Sequence, residues 1–133
     1  MPTEDLFDIR WFDTVSSTNT GMAEDRSGLV EWCVYAAHQQ TAGRGQRGNA
    51  WHSAKDENLT FSVLLRPESL SAGQQFAISE AVALGISDYL ATHGVTALIK
   101  WPNDIYAGNR KICGVLIENF LSADKLAECV VGI

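Results

Sequence analysis

The chain has 133 residues, 46% of them hydrophobic, which suits one soluble domain with one sizeable core. Sixteen acidic residues against ten basic ones give a net charge of −6, which argues against a general nucleic-acid binder with a broadly positive surface. No apolar run reaches the roughly 18–20 residues that cross a membrane, and Met1–Asp8 is polar and acidic rather than a secretory signal, so the expected location is cytoplasmic.

In chain order, Asp8–Phe12 alternates as a short strand does. Ser16-Ser17-Thr18-Asn19 then offers N-cap residues for a short helix ending near Asp25. Trp32–His38 is β-branched and aromatic enough for a buried strand. Gln39–Asn58 is polar, Gly-rich and irregular, and at about 20 residues it is long for a connection, a length usually tied to function or disorder. Leu59–Leu65 alternates as a strand with one apolar face. Ser71 and Gln74 form a capping box before a helix in which Phe76, Val82, Ile86 and Leu90 recur at helical spacing, with Ala83 and Tyr89 beside them and Gly94 as its stop. Ala97–Lys100 predicts a short strand that Trp101-Pro102-Asn103-Asp104 breaks, because Pro102 has no ladder donor. Ile105–Tyr106, the Gly108-Asn109 turn and Lys111–Phe120 predict a β-hairpin, and Leu126–Ile133 another strand. This order favours an α+β domain over a doubly wound parallel sheet. Cys33, Cys113 and Cys129 are odd in number and widely spaced, so they are expected to be small buried residues rather than disulfides or a zinc site.

Gly43-Arg44-Gly45-Gln46-Arg47-Gly48 matches the dinucleotide pattern G-x-G-x-x-G, but the context fails. Asn49–Asn58 has no apolar helical period and supplies no crossover helix to a parallel strand. Gly backbone that an anion can approach, two guanidinium groups and the flat ring of Trp51 suit a ligand with both a phosphate and a heterocycle. A solvated loop with one packed Trp is the plainer alternative.

Lys100-Trp101-Pro102-Asn103-Asp104 gathers a cation, an aromatic, an amide and a carboxylate at the end of a strand. Asp104 is a candidate to hold Mg²⁺ or to orient a lysine, against a surface ion pair as the bland reading. Lys111 heads an otherwise apolar run in which Gly114 marks a close approach by ligand or backbone; the bland role for Lys111 is that of an edge gatekeeper.

Taken together, Ser17-Thr18-Asn19, Gln40 with Gly43-Arg44-Gly45, Gly48…Trp51, Asn58-Leu59 leading to Ser62, Lys100–Ile105, and Lys111…Gly114…Leu116…Glu118 resemble the biotin–protein ligase family. The resemblance implies a mixed, largely antiparallel sheet with helices on one face, related to class II aminoacyl-tRNA synthetases. It implies that biotin and MgATP give biotinyl-5′-AMP and pyrophosphate, and that biotin then passes to a lysine of a biotin carboxyl carrier protein. Carried over by position, Ser17, Thr18, Asn19, Gln40, Gly43, Arg44, Gly45, Gln46, Lys111, Gly114 and Leu116 would bind biotin. Arg44, Arg47, Trp51, Lys100, Asn103 and Lys111 would bind ATP, with Trp51 stacking on adenine and Asn103 reading its edge. Lys111, Lys100, Asp104 and Arg47 would serve the chemistry, Asp104 as the Mg²⁺ ligand.

Two features depart from the family. Gln46 stands where a basic residue usually follows Gly-Arg-Gly, which removes one charge near the adenylate, with Arg47 next in line. The family also continues past Val131-Gly132-Ile133 into a further strand segment and usually a small C-terminal β domain, so residues 1–133 are expected to be a catalytic domain cut short, with no N-terminal DNA-binding domain and no nucleic-acid partner. The rival readings are a lipoate-ligase-like adenylating enzyme, whose Gly-rich recognition pattern differs, and a biotin-binding fragment without turnover.

Overall fold

The computed structural model describes residues 7–133. Residues 1–6, on which the expected location partly rests, lie outside the described residues. No helix among the described residues is long and apolar enough to cross a membrane.

The strands are β1 (Ile9–Val15), β2 (Val34–Gln40), β3 (Thr60–Leu65), β4 (Leu98–Lys100), β5 (Asp104–Ala107), β6 (Arg110–Gly114), β7 (Leu116–Ser122) and β8 (Lys125–Gly132). The helices are α1 (Thr18–Asp25) and α2 (Phe76–Thr92). One sheet has the order β1-β2-β3-β8-β7, and a smaller one β4-β5-β6. Only β1 and β2 pair in parallel, joined across α1; the other named pairs are antiparallel. The α+β class and the largely antiparallel sheet therefore stand as expected.

Three local expectations change. First, Trp32 and Cys33 precede β2 rather than open it, because Trp32 sits in a turn at φ 68°. Second, Lys111–Phe120 is not one strand. Gly114 pairs with Asp104 in the small sheet, whereas Leu116 pairs with Gly132 in the large one. Val115 is the crossing point, and Asn103 takes the place of a strand partner there. The Val115 N–H donates to Asn103 O at 2.9 Å, and Asn103 Nδ2 donates to Val115 O at 2.7 Å. Third, Phe76 and Tyr89 of α2 are exposed, and Ile78, Val82 and Ile86 form its packing face.

The core lies on both faces of the large sheet, as strand alternation requires. Met22 of α1 packs with Leu64, Val130, Tyr35 and Cys33. The neighbouring residues Leu65, Cys129 and Val131 point the other way and meet Ile78, Val82 and Ile86 of α2. Helices on one face are thus corrected: α1 and α2 cover opposite faces, because both faces of β3 and β8 are apolar. Cys33 and Cys129 are fully buried, and burial pushes the Cys129 thiol up to about 11. Cys113 is only half-buried, since its strand belongs to the small sheet.

Candidate functional site

A cavity of about 370 Å³ opens where α1, the connection after β2 and the β6–β7 junction converge. Its size falls in the range of small-molecule sites. Ser17 caps α1: its Oγ accepts from the Thr20 N–H at 3.2 Å, which leaves Thr18 and Asn19 in the first turn, facing the sheet. The Thr18 N–H donates to Gln40 Oε1 at 2.7 Å. That contact fixes the Gln40 amide, because only its oxygen can accept, so Nε2 is left as a donor. This end of the cavity is neutral and polar.

The Gly-rich segment is a small hairpin closed on itself. Trp51 N donates to Gly43 O at 2.8 Å, Gly45 N to Asn49 O at 2.6 Å, and Asn49 N to Gln46 O at 3.0 Å. Those three amides are committed internally, so of this segment's backbone only the other amides are left to meet an anion. Gly43 must lack a side chain, since a Cβ there would lie 2.5 Å from the Trp51 carbonyl oxygen. Arg44 reaches back across the fold. Its Nη1 and Nη2 meet both carboxylate oxygens of Glu118 on β7, and its Nε donates to Thr20 Oγ1 at 3.1 Å. Bidentate pairing of this kind fixes geometry as well as charge.

The charged end is built by the small sheet. Lys111 Nζ lies 2.8 Å from Asp104 Oδ1 and 4.9 Å from the centre of the Trp51 ring. Gly114 lets that ring approach: a Cβ there would lie 2.8 Å from two of its carbons. Of the residues lining the cavity, Asp104 alone carries a carboxylate. No group of three or more His, Cys, Asp or Glu suited to a metal occurs among the described residues. The residues present therefore do not form an all-protein Mg²⁺ cage. A single carboxylate does fit an Mg²⁺ that arrives already held by substrate phosphates.

Most of the residues singled out from sequence meet here. Ser17, Thr18, Asn19, Gln40, Arg44, Gly45, Gln46, Trp51, Asn103, Asp104, Lys111, Gly114 and Leu116 all line the cavity. Three do not. Gly43 is buried beneath the Trp51 carbonyl. Arg47 is exposed, in a turn at φ 55°, and is not among the lining residues. Lys100 is exposed on β4, with Nζ 5.8 Å from the Tyr106 ring centre, although its backbone pairs with Asp104. Sequence reasoning missed Thr60, Phe61, Gly132 and Ile133, which line the cavity only because β3 and β8 are neighbours. It also gave no role to Ser62 or Glu118.

Comparison with known proteins agrees with this geometry. The biotin/lipoate A/B protein ligase family model matches residues 11–133. The bifunctional ligase/repressor BirA of Bacillus subtilis is 33% identical over 127 residues, covering 92% of this chain and 38% of its own length. The biotin–[acetyl-CoA-carboxylase] ligase of Paracoccus denitrificans is 33% identical over 122 residues, covering 88% and 49%. The Aquifex aeolicus biotin protein ligase, solved in complex with biotin and ATP, superposes with a TM-score of 0.75 at 32% identity over 95% of this chain and 51% of that one. The chain thus spans between 38% and 49% of the length of those two curated relatives. With the match running through β1, the Gly-rich hairpin and both sheets, the chain belongs to the biotin/lipoate A/B protein ligase family.

Proposed function

We propose that this chain carries the biotin- and ATP-binding part of a ligase that forms biotinyl-5′-AMP and transfers biotin to a lysine of a biotin carboxyl carrier protein. The observation that carries the reading is the two-ended cavity. One end offers neutral donors and acceptors from Ser17, Thr18 and Gln40, with the nearby Arg44 charge paired to Glu118. The other holds Lys111 with Asp104 under the Trp51 ring. A cyclic urea with a carboxylate on an aliphatic arm matches that division.

In the first step a carboxylate oxygen of biotin bonds to the α-phosphorus of MgATP, and pyrophosphate leaves. Two anions must meet, and Lys111 is the cavity's lysine placed to lower their repulsion and to stabilise charge at the α-phosphate. Trp51 offers a face for adenine. With the Asn103 amide donor held by Val115 O, its Oδ1 is the atom left to accept from an exocyclic amino group. Asp104 would share Mg²⁺ with the phosphates, and Lys100 and Arg47, outside the cavity, would reach only the outward phosphates. In the second step the carrier lysine's amine bonds to the acyl carbon and AMP leaves; here the protein's part is to hold the anhydride and keep water away.

The lipoate reading fits this cavity less well. A dithiolane ring has no hydrogen-bonding edge, so the Gln40 Nε2 donor and the remaining Thr18 Oγ1 lone pairs would be covered without a partner. Calorimetric titration separates the two: biotin binds and lipoate fails to displace it. Equal competition by lipoate, or no heat with biotin, would overturn the assignment.

A further inference from the structure

Among the described residues, the polar side chains withdrawn from solvent are Ser17, Thr18, Asn19 and Ser62, each at most 4% exposed. Three line the neutral end of the cavity, and Ser62 lies behind Thr18 and Asn19. Buried polar groups destabilise a fold unless each is partnered, and a connected set of them fixes a direction for every proton. The set ends on one charged group, the Glu118 carboxylate.

Its protons can be followed from that end. A carboxylate only accepts, so Asn19 turns Nδ2 to Glu118 Oε1 at 3.2 Å, with Leu116 O at 3.1 Å as a second acceptor. Asn19 Oδ1 then faces Ser62 and takes the single proton of its hydroxyl. Ser62 thereby meets Thr18 Oγ1, 2.8 Å away, with a lone pair instead of a donor. The 2.8 Å contact therefore takes the Thr18 proton, and with Thr18 donating to Ser62 its lone pairs are left for a ligand. Beside them stands the Gln40 Nε2 donor. An adjacent acceptor and donor match the adjacent N–H and C=O on the edge of a cyclic urea. Gly132 belongs to the same arrangement, since a Cβ there would collide with the Asn19 amide.

We propose that Glu118 is a positioning residue for ligand recognition: acting through Asn19 and Ser62, it withholds the Ser62 proton from Thr18 and so keeps Thr18 an acceptor for a ring N–H. The inference rests on the biotin reading of the cavity. Without the carboxylate, Leu116 O alone holds Asn19 this way round; the hold is weakened, Ser62 donates to Thr18 in part of the population, and the acceptor position is partly lost to the ligand. The Arg44 pair offers a competing role for Glu118, as a simple latch on the hairpin.

A double-mutant cycle on the 133-residue chain separates the two roles. Glu118→Ala removes the acceptor outright, where a glutamine oxygen would still accept from Asn19 Nδ2, and should weaken biotin binding by about fivefold, the effect of one modest hydrogen bond. In a Ser62→Ala background no competing donor exists, so the same change should cost clearly less, leaving only the loss of the Arg44 pair. Equal losses in both backgrounds overturn the proposal and leave only the latch. A ligand-free measurement decides the matter independently. Glu118→Ala should shift the Gln40 side-chain amide resonance more in the parent than in Ser62→Ala; an unmoved Gln40 signal in the parent, or equal shifts in the two, also overturns the proposal. A chain that shows the resonance shift yet binds no biotin would contradict the biotin reading while leaving the proton relay standing.

Discussion

Replacing Gly114 by Ala should damage ATP use far more than it damages the fold. A Cβ at 114 would sit 2.8 Å from Cη2 and Cζ3 of Trp51 and 3.5 Å from Lys111 Cε. Carbon atoms settle at roughly 3.5–4.0 Å, so the ring must retreat by about 1 Å. The Trp51 backbone cannot follow, because its N–H is held by Gly43 O and its carbonyl packs against Gly43. The indole therefore swings on its side-chain bonds and leaves Lys111, now 4.9 Å from its centre. Trp51 is only half-buried, so the stability loss should be about 1 kcal/mol, the low end for an added methyl group in a packed site. Misplacement of about 1 Å at a reacting site can lower turnover by about 100-fold. The assay is biotin-dependent pyrophosphate release against ATP concentration, beside urea unfolding of the same variant. A folded Gly114→Ala protein with unchanged KM for ATP and unchanged turnover would refute this account of Trp51.

Other outcomes follow from the same structure. Burial, then the hydrogen bond to Asp25, push the Tyr35 phenol up to about 12. Its pKa is raised on folding, so its stabilising effect is complete below pH 10, its ordinary value, and is lost as pH rises from 10 to 12. Over that window the parent should lose stability faster than Tyr35→Phe in thermal unfolding, and parallel losses would contradict the assignment. Met22→Ala empties a fully buried site against Leu64 and Val130 and should cost about 2–5 kcal/mol in urea unfolding. Arg47→Ala and Lys100→Ala remove exposed charges outside the cavity and should leave biotin affinity within about twofold, as for other surface charges, with any loss confined to ATP-dependent steps. Calorimetry with biotin alone, then with ATP, separates those effects.

Much of the site was legible because its chemistry lies in short runs. Ser17-Thr18-Asn19, the Gly-rich hairpin and the Lys100–Asp104 segment each carry polar groups where local rules predict a cap, a turn or a strand end. The rest depends on pairing between distant strands. Ser62 reads as an ordinary polar residue on a strand until β3 is set beside α1, and Glu118 as a solvent-side acid until Arg44 arrives from 74 positions away. The split of Lys111–Phe120 was hidden for a similar reason: nothing in that run signals that Asn103 holds Val115. The opposite-face placement of α1 and α2 follows from strand alternation, but only once β8 is known to be central, with apolar residues on both sides. Lys100 and Arg47 were assigned by position along the chain; both are exposed and neither lines the cavity.

The most direct test is biotin-dependent pyrophosphate release from MgATP by residues 1–133, with Lys111→Ala alongside. The account predicts release by the parent and a loss of at least about 100-fold in the variant, as for removal of a group that stabilises transition-state charge, with biotin affinity changed far less. Equal losses of binding and release, or full release by Lys111→Ala, would contradict the role given to the Lys111–Asp104 pair beneath Trp51.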